Sequence, residues 1–129
     1  CAALLMSPEV TGAIRMETLG TTFGGGPMAC AVIEAVIEAI ESEDLLANVR
    51  RVSQYIRATC HVGPVTGFQG EGFLLGLRMN RPAKEVQAAL LARDILTGTS
   101  GDPQVLRLLP PYILREEHVD LLKGALATL

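Results

Sequence analysis

Between Thr18 and Ala31 the chain sets two adjacent hydroxyl residues, Thr21 and Thr22, then the glycines Gly24, Gly25 and Gly26, then Pro27, directly ahead of its longest helical pattern. No other stretch limits the fold as strongly. Consecutive glycines admit left-handed backbone and close approach to a ligand or another chain, and Pro27 suits the first helical position, where a missing N–H is no loss. The N–H groups that follow have no intrahelical acceptor. Together with the helix dipole and the nearby hydroxyls they can hold an anion. The same composition also serves as a plain turn into a helix, so these residues alone leave both readings open.

The flanking sequence supplies the elements. Residues 1–6 are a short continuous apolar run of the kind a buried strand shows. Because that run opens in mid-element, the sequence is expected to be the C-terminal piece of a longer protein. Ser7-Pro8-Glu9 reads as a helix start, with Ser7 as N-cap and Pro8 at the first position, for a helix to about Ile14. From Pro27, Met28, Val32, Ile33, Val36, Ile37 and Ile40 recur at helical spacing opposite Glu34, Glu38 and Glu41, the pattern of one amphipathic helix. A second helix follows Ser42-Glu43-Asp44, with Leu45, Val49, Val52 and Ile56 on one stripe.

Val62-Gly63-Pro64 breaks the helical pattern and predicts a boundary. Beyond it, Val65–Gln69 and Phe73–Met79 read as strands joined through Gly70-Glu71-Gly72. Pro82 opens a helix with Val86, Ala89 and Leu90 on one face. Ile95–Thr97 and Val105–Leu109 are two further short strands, and Pro110-Pro111 ends the last of them, since proline cannot donate into a ladder. A closing helix from about Arg115 turns Val119, Leu122, Ala125 and Leu126 inward. The order predicts an α+β fold, an antiparallel or mixed sheet with helices gathered on one face.

Composition excludes several functions. Hydrophobic residues make up 49% and charged residues 19% of the chain, the latter below the roughly 25% usual in soluble domains, so some apolar surface is expected to meet a partner. A net charge of −3 with scattered cations argues against a nucleic-acid partner. No run reaches the roughly 18 apolar residues that a membrane helix needs, nor does the start resemble a leader, which predicts a cytoplasmic protein with no membrane partner. Cys1, Cys30 and Cys60 are odd in number and widely spaced, which argues against a disulfide framework and against a metal site. Cys30 reads as a small core residue.

Thr21-Thr22-Phe23-Gly24-Gly25-Gly26-Pro27-Met28-Ala29-Cys30-Ala31 resembles the Gly-(Ser/Thr)-Thr-(Phe/Tyr)-Gly-Gly-Asn-Pro-Leu-Ala-Cys-Ala segment of class III aminotransferases, pyridoxal-phosphate enzymes of fold type I. Leu19 stands where the family often has histidine, and Gly26 where it usually has asparagine. Gly70-Glu71-Gly72-Phe73-Leu74-Leu75-Gly76-Leu77 is similar to the family's Gly-x-Gly-Leu-x-x-Gly strand pair, and Val105-Leu106-Arg107-Leu108-Leu109-Pro110-Pro111 to its Val-(Ile/Leu)-Arg-x-x-Pro-Pro. The resemblance implies that Thr22 binds the cofactor phosphate in the neighbouring subunit's active site. It makes Thr21 the substrate-side neighbour and Arg107 the ligand of a substrate carboxylate, a task suited to a planar, bidentate guanidinium. It also implies a homodimer, and a division into residues 1–26 as the end of the large cofactor-binding domain, 27–61 as connecting helices and 62–129 as the small C-terminal domain.

The pattern is nearest the acetylornithine-using branch. This implies transfer of an amino group from an N-acetylated diamino acid to 2-oxoglutarate, in arginine biosynthesis. An ornithine or other ω-amino acid aminotransferase is the sibling reading. Residues taken without the family also fit a non-catalytic α+β interaction domain.

No catalytic residue is assigned within the chain. Pyridoxal phosphate requires a Schiff-base lysine, and both Lys84 and Lys123 read as surface residues on helices. In the family that lysine precedes the threonine loop and is expected before Cys1, so the chain alone is expected to be inert. His61, at a helix end, and His118 have no second titratable group with which to form a constellation, and Ser53 and Ser100 lack a nucleophile-elbow setting.

Overall fold

The computed structural model describes residues 3–15 and 20–129. The expectations for Cys1, for the first two residues of the apolar run and for Thr18 and Leu19 lie outside the described residues. The chain divides into two compact units, Cys1–Asp44 and Leu45–Leu129.

In the first unit, helix α1 spans Pro8–Ala13, and Ser7 caps it by accepting from the Val10 N–H at 3.4 Å. Residues 3–7 have no regular structure, and Leu4 and Leu5 are 74% and 92% exposed. The expected buried strand is therefore not formed here, because no strand among the described residues of this unit offers it a ladder. Helix α2 spans Pro27–Ser42, with Pro27 in its first turn and Gly26 as an N-cap without a side-chain hydrogen bond. Its apolar periodicity is as expected, but neither α1 nor α2 contains a buried residue, and Met28, Val32, Val36 and Ile37 are exposed. Cys30 is likewise exposed rather than in a core.

The second unit has a true core. Helix α3 covers Leu45–Thr59, β1 Val65–Glu71, β2 Leu74–Met79, α4 Ala83–Leu91, β3 Gly98–Thr99, β4 Val105–Leu108 and α5 Glu116–Ala127. The sheet order is β1-β2-β4-β3, with every neighbouring pair antiparallel. Alternation along β2 and β4 sends Leu75, Leu77, Leu106 and Leu108 to one face, in register Leu75 with Leu108 and Leu77 with Leu106. Val52 and Ile56 of α3, Val86 and Leu90 of α4, and Val119, Leu122 and Leu126 of α5 join them in a single buried cluster. Three amphipathic helices thus cover the same face of an antiparallel sheet, the α+β arrangement expected from the element order.

Two local features differ from the sequence reading. Helix α3, grouped there with α2 as a connector, contributes Val52, Ile56 and the adjoining Cys60 to the same core as the sheet. The third strand begins at Gly98 and not at Ile95. Its expected first residues are engaged with α4: the Ile95 N–H donates to the Leu90 carbonyl at 3.0 Å, and Gln87 Nε2 donates to the Thr97 carbonyl at 2.8 Å.

Candidate functional site

In β4 the same alternation that buries Leu106 and Leu108 turns Arg107 to the opposite face of the sheet. The residues paired with Arg107 on either side are both glycines, Gly76 in β2 and Gly98 in β3. The guanidinium lies over the bare backbone of Gly98. It borders a concave region of about 630 Å³ at the β3 edge, whose wall includes Leu96, Thr97, Leu109, Pro110, Pro111 and His118. A smaller hollow of about 240 Å³, beside Gln69, Gly76 and Ser100, touches Arg107 as well.

Arg107 is exposed and has no hydrogen-bond or ion-pair partner among the described residues. Several other arginines of the unit are engaged, Arg51 with Glu116 and Asn48, Arg57 with the Gly70 carbonyl, Arg78 with Gln69, and Arg81 with the Leu129 carbonyl, while Arg50 on α3 shares with Arg107 the lack of a partner among the described residues. A cation with unspent donors beside an apolar wall is suited to a planar anion such as a carboxylate. The Pro110-Pro111 turn that forms part of the wall leads to a segment held by Asn48, whose Nδ2 donates to the carbonyls of Tyr112 and Leu114 at 2.7 and 2.9 Å.

Thr21 and Thr22 lie in the first unit, both exposed, in the bend that precedes α2. Gly25 has φ +74, the left-handed region that glycine enters freely, and an added Cβ at Gly24 would collide with the Thr21 methyl. The turn thus calls for glycine at position 25, while Gly26 is extended and has room for a side chain. With no side chain at Gly26 to cap α2, the N–H groups of Met28 and Ala29 remain open toward solvent or an anion. An exposed hydroxyl beside such a helix start fits a phosphate ester.

The remaining candidates have structural roles. His118 Nδ1 accepts from the Arg115 N–H at 3.2 Å and so closes the start of α5, while His61 meets Phe68 edge-on with ring centres 6.1 Å apart. Ser53 donates back to the Arg50 carbonyl, and Ser100 bonds Asp102 within a turn. Lys84 is exposed on α4 and Lys123 half-buried on α5, and neither borders the cavity at Arg107. Burial raises the Cys60 thiol above its ordinary pKa, and the hydrogen bond to Asp120 raises the Tyr55 phenol. Among the described residues no three His, Cys, Asp or Glu side chains come together as a metal site. Sequence reasoning missed Asn48 and Gly98; the only available signal was the pairing register of β3, since Asn48 meets partners 64 and 66 residues away.

Comparison with known proteins supplies the family. The description "Aminotransferase class-III" matches residues 1–129. Acetylornithine aminotransferase 1 of Bordetella parapertussis is 37% identical over 123 residues, covering 92% of this chain and 31% of that protein. Ornithine aminotransferase of Bordetella pertussis is 35% identical over 125 residues, covering 92% of this chain and 30% of that protein. The solved acetylornithine aminotransferase of Elizabethkingia anophelis superposes with a TM-score of 0.76 at 23% identity, over 93% of this chain and 35% of its own. The chain spans about a third of the length of the curated relatives it matches. With its whole length matched, the chain belongs to the class III aminotransferase family.

Proposed function

We propose that this chain is the C-terminal part of a pyridoxal-phosphate-dependent aminotransferase that moves an amino group from N-acetylornithine, or a similar ω-amino compound, to 2-oxoglutarate in a homodimeric, cytoplasmic enzyme of arginine biosynthesis. The observation that carries the proposal is Arg107: a family-matched arginine with free donors at the mouth of a partly apolar cavity. Pyridoxal phosphate, when bound, supplies the electron sink for breaking the C–H bond at the substrate carbon that bears the transferred amino group. This chain's residues bind and orient. Thr22 donates its hydroxyl to the cofactor phosphate of the neighbouring subunit, the start of α2 adds a favourable dipole, Thr21 borders the substrate, and Arg107 fixes a substrate carboxylate by two parallel hydrogen bonds. The Schiff-base lysine belongs to the remainder of the protein, so the 129 residues alone have no transaminase activity.

In the full-length enzyme, Arg107→Ala should raise KM for 2-oxoglutarate about 10- to 100-fold, the value of a charge-assisted hydrogen-bond pair. Thr22→Ala should speed loss of the cofactor on dialysis. An unchanged KM in the first and unchanged retention in the second would refute the assignment. Ornithine as the amino donor is the second reading, favoured by the ornithine aminotransferase relative at 35% identity, and a comparison of kcat/KM for ornithine and N-acetylornithine decides between the two.

A further inference from the structure

Gly98 occupies an edge strand, where a β-branched or other side-chain-bearing residue is the ordinary choice and glycine weakens the strand. Its backbone does not demand glycine, because its φ lies outside the left-handed region. What meets it is Arg107: an added Cβ would stand 3.1 Å from Nε, 3.2 Å from Nη2 and 3.6 Å from Cζ. The guanidinium lies across the bare backbone of β3.

The other flank of Arg107 is different. There the space over Gly76 is already filled, with Val105 Cγ1 and Gln69 Cγ only 2.7 and 2.8 Å from where a Cβ would be. Arg107 is therefore bounded on the β2 side and admitted on the β3 side, which is the side of the larger cavity. With no protein hydrogen bond among the described residues to hold it, the guanidinium takes its position from this difference in bulk.

We propose that Gly98 is a positioning residue for Arg107, its missing side chain letting the guanidinium lie at the cavity mouth in the pose that receives a substrate carboxylate. The inference rests on the carboxylate-binding reading of Arg107. A methyl at Gly98 forces the guanidinium to move by a few tenths of an ångström, enough to spoil a bidentate pair without abolishing the charge.

The test is a double-mutant cycle in the full-length holoenzyme with Gly98→Ala, Arg107→Ala and the double variant, reading KM for 2-oxoglutarate and kcat. Gly98→Ala should raise KM about three- to tenfold with kcat within about twofold, and should add nothing in the Arg107→Ala background. Equal costs in both backgrounds, or an unchanged KM for Gly98→Ala while Arg107→Ala raises it, would overturn the role of Gly98 and leave that of Arg107 standing. An unchanged KM for Arg107→Ala would overturn the reading beneath it. Should Gly98→Ala be insoluble, recovery of soluble enzyme in the double variant supports the proposal, since the guanidinium is then the obstacle; failure of both overturns it.

Discussion

The side-chain amide of Asn48 on α3 donates to the carbonyl of Leu114 at 2.9 Å and also reaches that of Tyr112, fixing the segment that follows Pro110-Pro111 against a helix remote in sequence. Both acceptors lie in a stretch without regular structure, so they have no ladder partner to replace Asn48. Asn48→Ala should lower the unfolding free energy by about 1–3 kcal/mol, the range for two net hydrogen bonds at a partly exposed site. Urea denaturation should show the midpoint falling with an unchanged slope.

Leu106 is fully buried at the centre of the sheet, in register with Leu77. Truncation to alanine removes apolar contact and leaves a cavity within the buried cluster, for a cost of about 2–5 kcal/mol. Leu109, three residues on and 67% exposed, provides the contrast: its alanine variant should stay within about 0.5 kcal/mol of the parent in the same denaturation experiment.

Arg107→Lys separates charge from geometry. A lysine keeps the positive charge but offers a point donor instead of a planar fork. In the full-length enzyme its KM for 2-oxoglutarate should lie between that of the parent and that of Arg107→Ala. Equivalence of lysine and arginine would show that the fork is not used.

Cys60 gives a pH dependence with a definite sign. Burial raises its thiol pKa in the folded chain, so the unfolded chain ionises first and binds fewer protons as pH rises. The stabilisation is complete below the ordinary thiol pKa of about 8.5 and is lost progressively above it. Stability measured between pH 7 and 10 should fall more steeply for the parent than for Cys60→Ala. In the native state an alkylating reagent should label the exposed Cys30 well before the buried Cys60.

Legibility varied with the range of the determining interactions. The buried face of α5, Val119, Leu122 and Leu126, could be read from spacing alone, as could the β1–β2 pairing, because period and turn are local properties. The start of β3 could not, since Ile95 and Thr97 are diverted by hydrogen bonds to α4. Periodicity along α2 was correctly helical, yet it carried no information on whether Val32, Val36 and Ile37 are covered. Arg107 was singled out through its motif. Its neighbour Gly98 was not, because a glycine's meaning lies in what crosses it and this depends on strand register.

Because the helices before Asp44 bury no residue, they add little to the change in hydration when this chain melts. Its calorimetric heat-capacity increment should correspond to Leu45–Leu129 alone, about 1.1 kcal/mol/K where the full length would give about 1.7. Heat uptake would thus register the second unit, and the threonine-bearing segment would pass through the scan almost unseen.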